Sequence, residues 1–170
     1  MTRSSADSDA DVELRGFSQS LPMMLLLARE AVLSRFRVYL HQFDITEQQW
    51  RVLRAVHSNP DREITELAGL TALHQPSLSR ILRDLQARNL LQRRQTPNDM
   101  RRVLITLTPK GANIVRSVTP PFEKIYAEMS AAYGERRLAE LQTLLTELTD
   151  TLNALPPTEL DARLNPTGTD

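Results

Sequence analysis

From Leu21 to about His41 the apolar positions Met24, Leu25, Leu27, Ala28, Ala31, Val32, Phe36, Tyr39 and Leu40 recur three and four apart. That spacing predicts a helix with a wide apolar face. Thr46-Glu47-Gln48-Gln49 has the form of a capping box, Thr46 facing Gln49, and opens a second helix through Trp50, Leu53 and Val56. Ser58-Asn59-Pro60-Asp61 ends it. A short third helix follows, with Ile64, Leu67, Ala68 and Leu70 as its apolar side, and Thr71 to His74 make a tight connection. Gln75-Pro76 starts a fourth helix, because proline is tolerated in a first turn. Leu78, Ile81, Leu82 and Leu85 fall on one side of it. At about 100° per residue the other side carries Pro76, Arg80 and Arg83, with Ser77 and Ser79 on the flanks.

After Asn89 the period changes. Leu90 to Arg94 and Arg102 to Leu107 read as strands, with the turn cluster Thr96-Pro97-Asn98-Asp99 between them. Thr108-Pro109 is an N-cap followed by a first-turn proline, opening a fifth helix that Pro120-Pro121 should kink or interrupt. Gly134 separates it from a last helix lined by Leu138, Leu141, Leu144, Leu145, Leu148, Leu152 and Leu155, which Pro156-Pro157 stops. Residues 1–18 and 156–170 lack periodicity and are expected to be disordered tails. The expected fold is mainly α: a winged helix-turn-helix (46–108) with a two-stranded β wing, and a helical dimerisation region (19–45 and 109–155).

Composition narrows the chemistry. The chain has 170 residues, 41% of them hydrophobic and 25% charged, enough for one domain with a core. It has no cysteine, which excludes disulfides, thiolate metal sites and thiol nucleophiles. No Gly-rich phosphate cradle is present, and His41, His57 and His74 are scattered, so neither a cofactor nor a metal is expected. His74, just before the fourth helix, could touch phosphate. The longest apolar run, Met23 to Ala28, is too short to cross a bilayer, and the polar first twenty residues do not resemble a signal peptide. A cytoplasmic protein is expected.

The net charge is zero, with 21 basic and 21 acidic residues, but it is segregated. Between Arg80 and Arg102 lie Arg80, Arg83, Arg88, Arg93, Arg94, Arg101 and Arg102 against only Asp84 and Asp99. The acids gather after Glu135. A solvated helix face would explain a charge run. An island of arginines, which fork phosphate and guanine, also fits a polyanion site.

Two short helices, a tight turn, a helix with a polar outer face and a basic ribbon form a helix-turn-helix with a wing. The expected DNA contacts are Gln75, Pro76, Ser77, Ser79, Arg80 and Arg83 in a major groove, with Arg94, Asp99 and Arg101 on the ribbon. These segments resemble the MarR-type transcription regulators. The resemblance lies in Thr46 to Arg54, in Pro76-Ser77-Leu78-Ser79-Arg80-Ile81-Leu82, and in Asn98-Asp99-Met100-Arg101-Arg102 followed by Ile105 to Gly111. It runs from about Leu21 to Leu155. Ala28 to Ala31, Phe36-Arg37 and Thr46 to Trp50 look most like the branch regulating degradation of homoprotocatechuate and similar aromatic acids. The resemblance implies a winged-helix homodimer on a palindromic double-stranded operator, usually a repressor, released by a small aromatic or heteroaromatic acid. The unspent apolar faces of the first and last helices independently suit a dimer, or else packing within one chain.

Trp50 and Arg54 are four apart and share a helix face, an indole beside a guanidinium that suits an aromatic carboxylate. Equally, Trp50 can be a core anchor and Arg54 a surface ion-pair partner. In the aromatic-acid branch both positions resemble ligand contacts, as does Tyr126, and Ser20 would approach from the other subunit. Where that branch has another polar residue near its start, this chain has Pro22. No nucleophile–base pair, cofactor loop or metal cluster supports an enzyme. A helical protein–protein adaptor would leave the arginine ribbon unexplained. A DNA-binding regulator with no small-molecule ligand is the third reading.

Overall fold

The computed structural model describes residues 16–96 and 99–156, without the side chains of Ser18 and of residues 96–102. The helices are α1 (Leu21–His41), α2 (Glu47–Ser58), α3 (Ile64–Thr71), α4 (Gln75–Ala87), α5 (Pro109–Tyr133) and α6 (Glu135–Ala154). The strands are β1 (Arg62–Glu63), β2 (Leu91–Thr96) and β3 (Asp99–Leu107). A 3-10 turn at Phe17–Gln19 precedes α1 and overlaps the end of the stretch expected to be a tail; residues 1–15 and 157–170 of the expected tails lie outside the described residues.

The chain divides into two compact units at Phe122–Glu123. The core of the first is built from Val52, Leu53, Val56, Leu67, Leu78, Leu82, Leu85, Leu90, Leu91 and Ile105, all essentially sealed from water. The capping box is formed as read: the Gln49 backbone N–H donates to Thr46 Oγ1 at 3.2 Å, and the Thr46 N–H donates to Gln49 Oε1 at 2.8 Å. Helix α3 departs from its reading. Leu70 is exposed and Thr71 is buried in its place. Counting turns from Leu67, Thr71 lies four residues on and shares its face, whereas Leu70 is rotated away. The Thr71 hydroxyl avoids a desolvation cost by donating to the Leu67 carbonyl at 2.6 Å.

The wing is the antiparallel pair β2–β3, with Leu91 opposite Leu107 and Arg93 opposite Ile105. The two-residue β1 adds to the far side of β3, pairing Arg62 with Ile105, so the sheet order is β1-β3-β2. The root of the wing is tightly made. The Thr108 hydroxyl donates to the Asn89 carbonyl at 2.7 Å and accepts from the Gly111 N–H at 3.0 Å. A Cβ at Gly111 would lie 2.0 Å from the Leu90 carbonyl oxygen, so only glycine allows this approach.

Of the kink or interruption expected at Pro120-Pro121, the interruption does not occur: helix α5 runs through both prolines. Each proline removes one helical N–H. Val115, Val118 and Phe122, buried on one face around the pair, offset that loss. In the second unit, Gly134 takes φ 100° between α5 and α6. Helix α6 has no buried residue, and Leu141, Leu144, Leu145, Leu152 and Leu155 are exposed.

Candidate nucleic-acid interface and effector site

Helix α4 is presented by its own sequence. Pro76 sits in the first turn, and Leu78, Leu82 and Leu85 seal the inner face. Ile81 is only half-buried. Gln75, Pro76, Ser77, Ser79, Arg80 and Arg83 are all exposed on the outer surface. Arg94 is exposed on β2. Asp99 and Arg101 belong to the backbone of β3, but their side chains lie outside the described residues, as do Pro97 and Asn98 of the expected turn. Thr96 pairs with Asp99 where the regular register of the ribbon breaks. Arg88 does not join the outward arginines. Its guanidinium lies 3.5 Å from Asp44 Oδ2 and 3.9 Å from Asp84 Oδ2. The carbonyl of Arg88, at the end of α4, accepts from Lys110 Nζ at 3.0 Å.

Between the outer face of α4 and the first turn of α2 runs an open groove of about 890 Å³, with Thr46, Gln49, Ser77, Arg80 and Asp84 on its walls. Polar ties cross this region. Gln49 Nε2 donates to Asp84 Oδ2 at 2.7 Å. Glu47 accepts from Arg29 of α1 at 2.8 Å and from Arg51 one turn along α2. Arg51 also donates to the Thr71 carbonyl at 3.0 Å, at the end of α3. Partial burial pushes the Glu47 carboxyl up, but the hydrogen bonds and charges of Arg51 and Arg29 outweigh it and hold it below the ordinary 4.5. The bond from Arg37 likewise holds the Glu30 carboxyl low on α1. In the sequence Gln49 reads only as a cap, and Glu47, Arg51 and Asp84 carry no local sign of these partnerships. A glutamine whose oxygen is spent on its own helix still has an NH2 to place, and that was the available signal.

Trp50 packs into the core of the first unit. It is 8% exposed and stands edge-on to Phe122, centroids 5.1 Å apart, while Phe122 also meets Phe36 at 4.6 Å. Arg54, one turn on, is exposed, and among the described residues it has no hydrogen-bond or ion-pair partner. A groove of about 400 Å³ lies beside the end of α2, with His57 on one wall and Val115, Arg116 and Thr119 of α5 on the other. Ser20 stands before the first residue of α1, and its hydroxyl donates to the Phe17 carbonyl at 3.0 Å. Tyr126 belongs to the second unit, where it is about half exposed.

A buried helix-turn-helix core, an outward polar recognition helix and a basic ribbon define a winged-helix DNA-binding protein. The family model described as "MarR family" matches residues 43–102. The chain is 33% identical over 136 residues to the HTH-type transcriptional regulator FarR of Neisseria gonorrhoeae, covering 80% of this chain and 93% of that protein. It is 33% identical over 128 residues to the homoprotocatechuate degradative operon repressor of Escherichia coli, covering 75% and 86%. The crystal structure of NadR in complex with 4-hydroxyphenylacetate aligns with a TM-score of 0.72 at 31% identity, over 81% of this chain and 100% of that one. The chain belongs to the MarR family of transcriptional regulators.

Proposed function

We propose that the chain is a cytoplasmic, non-enzymatic repressor that binds a palindromic operator as a homodimer and is released by a small aromatic or heteroaromatic acid. The observation that carries the effector class is the alignment, over three quarters of the chain, with a repressor of homoprotocatechuate degradation, joined by the likeness to NadR bound to 4-hydroxyphenylacetate. In this reading α4 enters the major groove through Gln75, Pro76, Ser77, Ser79, Arg80 and Arg83, and Arg94, Asp99 and Arg101 of the wing act beside it. Residues 19–45 and 109–155 make the dimer. The exposed leucines of α6 and the apolar start of α1 support that role. No helix among the described residues is long and apolar enough to cross a membrane.

In this reading the acid is held by Arg54, whose guanidinium is uncommitted on the surface, beside Trp50; the family resemblance adds Tyr126 and, from the other subunit, Ser20. The acid shifts the dimer toward a form whose recognition helices no longer fit the operator, with a coupling of about 1–3 kcal/mol. Calorimetric titration with 4-hydroxyphenylacetate and related hydroxy acids tests this. Arg54→Ala should abolish binding and leave acid-free DNA affinity intact. Release of DNA from the Arg54→Ala protein at an unchanged acid concentration would place the site elsewhere.

A further inference from the structure

The first turn of α2 holds α4 by a contact that helix packing does not require. Gln49 spends its carbonyl oxygen on its own helix, accepting from the Thr46 N–H. Its amide nitrogen reaches 35 residues along the chain to Asp84 Oδ2 at 2.7 Å. Asp84 is one turn from Arg80 and two turns from Ser77 on α4, the same outward edge that lines the groove facing α2. Asp84 is also approached by Arg88, and Arg88 reaches Asp44 in the turn before α2. The polar ties therefore meet at the C-terminal half of α4, while its N-terminal half, with Ser77 and Arg80, projects from an open groove.

We propose that Gln49 and Asp84 are positioning residues for DNA recognition: their hydrogen bond sets the angle at which α4 offers Ser77 and Arg80 to the bases. This rests on the reading that α4 is the recognition helix. Leu78, Leu82 and Leu85 anchor α4 along its length, but an apolar seam resists rolling and sliding poorly. A directional hydrogen bond on the outer edge resists both, and base readout tolerates errors of only about 0.5 Å and 10–20°. Because Asp84 is half exposed, the bond adds little to stability. Its effect falls on geometry, hence on the ratio of specific to nonspecific binding.

The polarity of the bond supplies the test. Gln49→Glu keeps the capping box, since glutamate serves that position as well as glutamine, but sets a carboxylate against Asp84. Asp84→Asn alone keeps an acceptor for Gln49. The double variant Gln49→Glu/Asp84→Asn restores the bond with donor and acceptor exchanged, at the wild-type net charge. The probe is a duplex that the wild-type chain selects from a randomised pool, and each variant's affinity for it is divided by its affinity for an unrelated duplex at the same salt. The added charge weakens both affinities and cancels in the ratio. Gln49→Glu should lower the ratio roughly tenfold, the scale of one mismatched base pair, with the thermal midpoint near that of wild type. Asp84→Asn should keep the ratio, and the double variant should recover it. A ratio unchanged in Gln49→Glu overturns the proposal, as does a double variant as poor as Gln49→Glu, or a lowered ratio that merely follows a lowered midpoint. A wild-type chain that selects no sequence from the pool overturns the recognition reading itself, and this proposal with it.

Discussion

Helices α4 and α6 look alike as strings of leucine at helical spacing, yet they end in opposite surroundings. Leu78, Leu82 and Leu85 of α4 are completely buried within their own unit. Helix α6 buries nothing, and Leu144 and Leu152 are more than half exposed. Periodicity reports that a helix has a face to hide. It does not report in which molecule that face is hidden. Helix α4 hides its face in its own chain, which frees the opposite side to carry polar and basic groups. Helix α6 keeps an apolar stripe whose burial requires another surface, the one that the proposed dimer would supply.

The largest test of that contrast pairs Leu82→Ala with Leu144→Asp. Leu82→Ala should cost about 2–5 kcal/mol of unfolding free energy, the loss expected for a sealed leucine, read by urea denaturation. Leu144→Asp should leave the helical circular dichroism intact and move the sedimenting species from dimer to monomer. If it instead unfolds the chain as Leu82→Ala does, at concentrations where wild type is already monomeric, α6 belongs to the chain's own core. A smaller effect marks the wing root as part of the rigid region. Gly111→Ala must push Leu90 or α5 aside and should cost about 1–3 kcal/mol, seen as a lowered thermal midpoint.

The smallest effect concerns Glu47, which ties α1 to the tightly packed region. Its carboxyl is held below the ordinary 4.5, so its ion pairs contribute fully above that value. Their contribution, up to about 1 kcal/mol, should fade as the pH drops below 4.5 through the lowered folded value. Glu47→Gln should flatten the stability-against-pH curve in that acid window. An unchanged curve would mean that the ties to Arg29 and Arg51 carry no net energy.

Local signals were legible. Thr46 and Gln49, Gln75-Pro76 and Thr108-Pro109 each specify a helix start from neighbouring residues, and each stands where it was read. The outer and inner faces of α4 followed from its period. What could not be read depends on residues far apart. Arg29 with Glu47, and Gln49 with Asp84, become partners only after the helices pack. β1 is two residues long, too short for any alternation, and exists because β3 offers it an edge. Leu70 has the apolar character for the buried slot on α3 but not the angle, and a threonine that bonds its own helix occupies that slot. Pro120-Pro121 reads as a kink or a break because the rule counts lost hydrogen bonds and not the packing of Val118 and Phe122 around them, and of the two only the break is absent. The site residues divide the same way. The outward edge of α4 is visible in the sequence, whereas the backbone of the ribbon departs from its regular register between Gln95 and Thr96, which no local pattern announces.

The single tryptophan lends the molecule an optical consequence. Trp50, almost sealed and edge-on to Phe122, should emit at short wavelength in the folded chain and shift to the red when water reaches it. No indole lies beyond Phe122, so emission watches the first unit alone, while the far-ultraviolet ellipticity sums every helix, α6 included. The two signals are thus separate windows on one denaturation experiment. If they move together, the helices of both units unfold in a single transition. If the ellipticity falls first while the emission stays blue, α6 has lost its helix before the first unit opens.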